Sequence, residues 1–444
     1  MAEPAALPLP GTTPRTSAPR WPMILHERFL EALRPRVMGP RIAAALGDGR
    51  ATCHVLDAKY EPGVYGVILY EQAGRLVRAD LAGEADRSWE EGAGRPRLVS
   101  PGIRLSPFPG DPDLSSLRWI MDPSSLGPVL QRALPDGGGR EGRASRCRIR
   151  LLRYRPGKRA TVLATLEPGG HRLVAKAYHR HDKAASVAAE AIALAATSRS
   201  SQHLRVAPPV AHLPGRSVVV QQAVDGISLD LVLGSRGSAD VRAKAGVIAA
   251  ALALAELHDL QAVTSRHRSV DRELVRFGER AERISSVSPE FGDRAAALAR
   301  RLERTRGALP QAPIGPVHGD CKPSAFLLNG GSAYLLDLDH YGISDQAGDV
   351  GAFLASLRQL AVRHELWGRP HPASSALSSL GERFLEVYLA AAGRQPLRPL
   401  IRWHEAVALE RKALRAFSRA PRSLLPVALV EQANCCLDQL AGTR

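Results

Sequence analysis

Two carboxylates stand out in the stretch VHGDCKPSAFLLNGGSAYLLDLDHYG at residues 317–342. Asp320 follows His318-Gly319, and Asp337 closes the second of two short apolar runs. "SAFLL" and "SAYLLDLD" read as strands joined through Asn329-Gly330-Gly331, since Asn-Gly between apolar runs is the strongest short-range hairpin signal. A hairpin returns the chain beside its start, so Asp320 and Asp337 should project near one end of it. Two acids gathered in this way can divide two jobs, one orienting a hydroxyl and one holding Mg²⁺. Asn329 is read as a turn residue, needed for its backbone conformation. Asp339 reads either as a second metal ligand or as a solvated residue at the strand end.

Upstream lie the elements that must position these acids. "RCRIRLLRYRPGKRATVLATLEPGGHRLVAKAYHR" alternates apolar and polar residues and is broken at Pro-Gly and Pro-Gly-Gly, the pattern of a small antiparallel sheet. An alanine-rich helix, "KAASVAAEAIALAAT", and a further strand, "SVVVQQAV", follow. From residue 238 onward the period is helical apart from the two-acid segment. Residues 133–145, "ALPDGGGREGRAS", form the clearest linker. The expected organisation is a tail at 1–25, an N-terminal α/β region at 26–135, a β-rich lobe at 146–225 and a helical lobe at 226–444. This is an α+β arrangement with a cleft between lobes. "AKYEPGVYGVILYEQAGRLVRAD" is also similar to "LRYRPGKRATVLATLEPGGHRLVAKAY", with Ala79 falling opposite Lys176. Either the first copy is a noncatalytic relative of the second, or two Pro-Gly hairpins coincide.

The 444 residues carry 60 Lys+Arg against 44 Asp+Glu, and the excess is localised. Residues 1–135 hold 16 basic and 15 acidic side chains, whereas residues 140–225 hold 16 and 5. A basic lobe concentrates polyanions such as nucleoside triphosphates. Only 5% of residues are aromatic, and neither zinc-finger spacing nor a basic patch interleaved with aromatics occurs, which argues against nucleic acid as a partner. Five cysteines without paired spacing point to reduced thiols and a cytoplasmic setting. No apolar run approaches the length of a membrane span, so no membrane partner is expected.

His318-Gly319-Asp320 with Lys322-Pro323, then a hairpin and the Asp337 strand, resembles the catalytic segment of the aminoglycoside phosphotransferase and choline kinase-like family. The resemblance spans roughly residues 146–420. It implies a protein-kinase-like fold of two lobes, with a small antiparallel β-rich lobe before a large helical one and the N-terminal region as a cap-like addition. It also implies ATP and Mg²⁺ as cofactors and transfer of phosphate to a hydroxyl. Pro156-Gly157-Lys158 looks like the loop over the phosphates, with Gly157 and Lys158 as nucleotide-binding residues. Lys176 looks like the strand lysine on the α/β-phosphates, with Glu190 as its ion-pair partner. Gln222 and Ala223 fall at the adenine hinge. Asp320 and Lys322 take the catalytic places and Asp337 and Asp339 the metal places. His258 lies in the helix preceding the catalytic region; His318 and Asp349 read as braces of the loop.

One departure from that pattern bears on the metal. The family carries asparagine five residues after the catalytic aspartate, and this chain has Ala325. Either the metal held by Asp337, helped by Asp339, suffices, or catalysis has decayed to a pseudokinase that binds nucleotide or a protein partner. Retention of Lys176, Glu190, Asp320, Lys322 and Asp337 favours activity. The acceptor-gripping part of the family falls at residues 350–444, with 13 basic and 7 acidic residues, which disfavours a polycation. A hydroxylated small molecule such as a sugar or natural product, or a Ser/Thr-bearing peptide, is the expected acceptor.

Overall fold

The protein is described by a computed structural model covering residues 21–47, 49–81, 97–100, 102–134, 146–234, 241–261, 264–311, 313–368 and 372–442. The linker expected at 133–145 lies outside these residues from 135 onward. Residues 21–25, read as tail, open a helix instead. Leu25 and Phe29 recur at helical spacing, and both are fully buried.

That helix, Trp21–Ala32, and its neighbour Pro35–Leu46 cover a five-stranded antiparallel sheet. Its strands are β1 (His54–Glu61), β2 (Tyr65–Gln72), β3 (Arg75–Leu81), β4 (Arg97–Ser100) and β5 (Ile103–Pro107), in the order β1-β2-β3-β5-β4. Tyr60, Ile68, Tyr70, Val77 and Ala79 face the helices and are buried. Phe29 stacks on Tyr60 at 4.6 Å, and the Tyr70 hydroxyl donates to the Ala32 carbonyl at 2.5 Å.

A second five-stranded sheet follows: β6 (Arg146–Arg155), β7 (Arg159–Glu167), β8 (His171–Tyr178), then, past the short β9 (Leu204–Val206), β10 (Pro209–Leu213) and β11 (Val218–Gln222). Its order is β10-β11-β8-β7-β6, which centres Lys176 between Thr161 and Val219. The helices Leu117–Ile120 and Pro123–Ala133, though N-terminal to the linker, pack on this sheet: Leu117, Ile120, Leu126 and Leu130 share one core with Val162, Leu166 and Val218. The helix His181–Thr197 covers part of the same lobe.

Both meanders turn at Tyr-x-Pro-Gly, with Gly63 and Gly157 at φ 72° and 67°. Counted from those tyrosines, Val67 and Thr161 are equivalent, and they pair with Asp80 and Lys176 respectively. Asp80, rather than Ala79, therefore stands at the lysine's place. The sequence match was displaced by one residue because the last paired residues enclose two residues between β2 and β3 and four between β7 and β8, a difference of two, whereas aligning the two Arg-Leu-Val runs demands three.

The C-terminal lobe is helical. Its largest helices, Ala347–Leu366, Pro372–Ala391 and Arg398–Arg419, pack around Phe353 and Phe384, stacked at 3.8 Å, and around buried Trp403, whose indole donates to Leu302 O at 3.1 Å. Set into it are β12 (Ile227–Ser228), β13 (Ile314–Val317), β14 (Phe326–Asn329), β15 (Ser332–Leu335) and β16 (Gly342–Asp345). The sheet β12-β14-β15-β9 ties the hairpin to the preceding lobe through β9, and β13 pairs with β16.

The N-terminal sheet touches both lobes. Asp111, its side chain fully buried, accepts from Arg78 Nη1 at 2.5 Å, the Tyr154 hydroxyl at 2.7 Å and the Gly157 amide at 2.8 Å. On the other side Ser418 donates to Tyr60 O at 2.6 Å, and Arg283 and Arg419 pair with Glu61 and Asp57 at 2.9 and 3.3 Å. Removing one partner of a buried charge costs about 3–5 kcal/mol. Arg78 retains Asp80 and Asp113, so Asp111→Ala should cost about 3 kcal/mol in urea unfolding; a loss below about 1 kcal/mol would show that this carboxylate does not fasten the loop.

Candidate active site

The hairpin forms with Phe326 opposite Leu335 and Asn329 opposite Ser332, closed at its base by Leu336 N donating to Ala325 O at 2.8 Å. The turn itself is Gly330-Gly331, at φ 56° and 85°. Asn329 is thus the last paired strand residue, not a turn residue with a special backbone. Its amide donates to Asp225 O at 3.0 Å, joining the hairpin to the segment after β11. Asp320 and Asp337 flank the base, as the hairpin reading requires.

Asp337 takes a left-handed backbone, φ 64° and ψ 55°, which aspartate tolerates better than most residues. This bend turns the chain into the short turn Leu338–His340 and places Asp339 beside Asp337. Lys176 Nζ lies 2.7 Å from Asp337 and 2.6 Å from Asp339. Arg159 grips Asp337 with both terminal nitrogens, at 3.0 and 2.9 Å, and also contacts Asp339. Tyr178 completes the cluster with a hydrogen bond to Asp339 at 2.7 Å. Burial would raise the Asp337 carboxyl, but Lys176 and Arg159 outweigh it and hold the group far below the usual range. Burial likewise pulls the Lys176 ammonium down, against the field of Asp337.

Asp320 pairs with Lys322, and Arg415 stands 3.8 Å from its other oxygen. Burial is again outweighed, chiefly by Lys322 and then Arg415, so this carboxyl too is strongly acidified. The loop carrying it is braced from behind. Asp349 accepts the His318 and Gly319 amides at 2.5 and 2.8 Å, and His258 bridges Asp349, at 3.3 Å, to the Tyr388 hydroxyl, at 2.8 Å. Gly319, at φ 76°, passes so close to the His340 carbonyl that a Cβ would collide with it. His318 Nε2 meets Leu336 O at 2.8 Å while its Nδ1 accepts from the Asp320 amide at 3.3 Å. Both nitrogens are engaged, which makes His318 a scaffold for the loop.

Other expected positions differ. Glu190 does not pair with Lys176: its oxygens take Thr264 Oγ1 at 2.8 Å and Arg266, while the lysine is drawn to the two aspartates. The Gln222 and Ala223 amides, placed at the adenine hinge, donate to Pro208 O and Arg172 O, both at 2.9 Å. The Gly157 amide is committed to Asp111, away from Lys176. Ala325 is 1% exposed and offers no side-chain ligand. Arg159 was missed by sequence reasoning; its place immediately after the Pro-Gly-Lys turn was the available signal, but nothing in it named Asp337 as partner.

Among the described residues no three His, Cys, Asp or Glu side chains cluster to hold a metal alone. Asp337 and Asp339 nevertheless converge on one ammonium, so two carboxylates can share one cation. Mg²⁺ is commonly bound by one or two carboxylates completed by phosphate oxygens and water, and this pair fits that demand. No helix among the described residues is long and apolar enough to cross a membrane.

Residues 152–404, more than half of the chain, match the phosphotransferase enzyme family. No curated protein sequence matches. Among solved structures, a choline kinase from Cryptosporidium parvum Iowa II is 10% identical with a TM-score of 0.51, over 72% of this chain and 97% of that one. A choline/ethanolamine kinase family protein from Mesorhizobium loti is 16% identical with a TM-score of 0.46, over 71% and 95%. A glucosamine kinase is 18% identical with a TM-score of 0.46, over 94% and 99%.

The acidified carboxylates fix the sign of the acid response. Asp320, Asp337, Asp345 and Asp349 all have folded values below their unfolded ones. Their contribution is therefore complete above the unfolded value of about 4 and is lost as pH falls beneath it toward the folded values. The thermal midpoint should drop between about pH 4.5 and 2.5. Asp349→Asn, less stable at neutral pH, should drop less steeply; a flat wild-type midpoint across that window would contradict the assignment.

Proposed function

The chain belongs to the phosphotransferase enzyme family, and from that premise we propose that it moves the γ-phosphate of ATP to a hydroxyl of a small molecule. It is a phosphotransferase; the donor, the metal and the small-molecule acceptor are the proposal. The observation that carries it is the meeting of Lys176 and Arg159, from the sheet lobe, with Asp337 and Asp339, from the helical lobe, beside an Asp320 held ionised.

In this reading Asp320 accepts a hydrogen bond from the acceptor hydroxyl and orients its lone pair at the phosphorus. Its strong acidity suits orientation rather than early proton removal, consistent with a loose transition state that asks little of a base. Lys322, paired with Asp320, would meet charge gathering on the transferred group. Asp337 and Asp339 would hold Mg²⁺, which supplies charge neutralisation across the phosphates. Lys176 and Arg159 would pass from these carboxylates to phosphate oxygens as nucleotide enters, an exchange of one charged partner for another without loss of pairing. Ala325 leaves the metal to the two aspartates. A polycationic acceptor fits poorly, because Lys322 and Arg415 flank Asp320 and Lys412 lies within its field.

A coupled assay of ADP release against a panel of sugars and other hydroxylated compounds tests this. An acceptor-dependent rate should appear, Asp320→Asn should lower kcat by about 10²–10⁴-fold, and Arg159→Ala should raise KM for ATP. Acceptor-independent behaviour, with Asp320→Asn indistinguishable from wild type, would replace this reading with the pseudokinase one.

A further inference from the structure

A cavity of about 920 Å³ lies between the N-terminal sheet, the Pro156-Gly157 loop and the helical lobe. Its walls carry eleven Lys or Arg side chains against four Asp, and no Glu. Several of these cations are accounted for: Arg78 by Asp80, Asp111 and Asp113, Arg159 by Asp337, Arg280 by Glu61, and Arg419 by Asp57. Three others are not. Among the described residues no carboxylate lies within 4 Å of a charged nitrogen of Lys59, Lys158 or Arg155.

These three come from two different parts of the chain. Lys59 projects from β1 of the N-terminal sheet, its ammonium 4.5 Å above the Tyr65 ring. Lys158 and Arg155 flank the Pro-Gly turn of the β6–β7 meander. Lys158 lies beside Lys59, and burial followed by this neighbour lowers the Lys59 ammonium to about 8. Arg155 is lowered to about 10 by burial and then by Arg159, and it also feels Asp337 and Asp320. The two ammonium groups of Lys59, half-buried, and Lys158, exposed, stand side by side, which is unfavourable without a counter-charge, and among the described residues no carboxylate pairs with either. The Gly157 amide meanwhile points to Asp111. Gly157 and Lys158 of this turn are thus directed toward the N-terminal region, whereas Arg155 lies toward the Asp337 side that Lys176 and Arg159 serve.

We propose that Lys59 and Lys158, on the wall of this basic cavity, form an anion subsite, separate from the Lys176–Arg159 pair, that takes the phosphate group of a phosphorylated, hydroxyl-bearing acceptor. Two ammonium point charges side by side match a phosphate monoester in charge and offer it several donors. The same cavity reaches Asp339, His340 and Arg415, the last beside Asp320. A compact sugar phosphate could then place its phosphate at Lys59 and a hydroxyl toward Asp320. The acceptor assignment rests on the proposed kinase function; the subsite itself does not.

Isothermal titration of the full chain with inorganic phosphate, a hexose monophosphate and the same hexose unphosphorylated, each with and without Mg-ATP, tests both parts. Wild type should bind phosphate, and binding should persist with Mg-ATP present. Lys59→Gln should weaken it at least about tenfold, the effect of one charged hydrogen bond, while Lys59→Arg retains it. No phosphate binding by wild type, equal binding by Lys59→Gln, or displacement by Mg-ATP would each overturn the subsite. A hexose phosphate no tighter than both inorganic phosphate and the free hexose would overturn the acceptor assignment and leave a site for free phosphate. Absence of Mg-ATP binding would count against the kinase reading alone, since the phosphate titration without nucleotide still decides the subsite.

Discussion

Two carboxylates from one lobe and two cations from the other meet at a single place, and the arrangement of the lobes depends on that meeting. Asp337 and Asp339 sit where the hairpin bends back into the helical lobe; Arg159 and Lys176 sit on adjacent strands of the sheet lobe. None of the four side chains is well solvated, with Arg159 at 9% and Asp339 at 5% exposure. Such a cluster is marginal as a source of stability but costly to leave half made, so each partner constrains the others. In the proposed function it would also set the chemistry: nucleotide phosphates and a metal ion would enter by taking over interactions the protein already makes with itself.

Around this centre the structure relies on backbone groups held by buried acids. Asp349 fixes the His318-Gly319 amides behind Asp320, and Asp111 fixes the Gly157 amide beneath the N-terminal sheet. Both are long-range contacts in which one carboxylate collects several donors. The N-terminal sheet, through Asp111 on one side and Asp57, Tyr60 and Glu61 on the other, spans the two lobes at the mouth of the cleft. Its own meander mirrors that of the sheet lobe, but with Asp80 where the second copy has Lys176.

What the sequence made legible was local. Alternation and Pro-Gly turns gave the meander, two apolar runs around Gly-Gly gave the hairpin, and the hairpin brought Asp320 and Asp337 to one end. What it left hidden was the choice of partner between charged groups far apart in the chain. Glu190 has the helical position expected of a lysine partner, yet Arg266, 76 residues away, takes it. Arg159 is one arginine among many until folding sets it against Asp337, 178 residues on. Asn329 looked like a turn residue because Asn-Gly often is one, whereas the following Gly-Gly pair supplies both positive φ angles. Periodicity encodes which face is buried; it carries no record of which opposite charge will be nearest once the faces meet.

Asp337, with Asp339, is the proposed metal and nucleotide site even though Ala325 contributes nothing. A thermal-shift titration with ATP, in the presence and absence of Mg²⁺, on wild type and Asp337→Ala addresses it directly, because a ligand that binds only the native state raises its midpoint. Wild type should show a further rise when Mg²⁺ accompanies ATP, and Asp337→Ala should lose that increment. A wild type indifferent to Mg²⁺, or a variant that keeps the full increment, would contradict it.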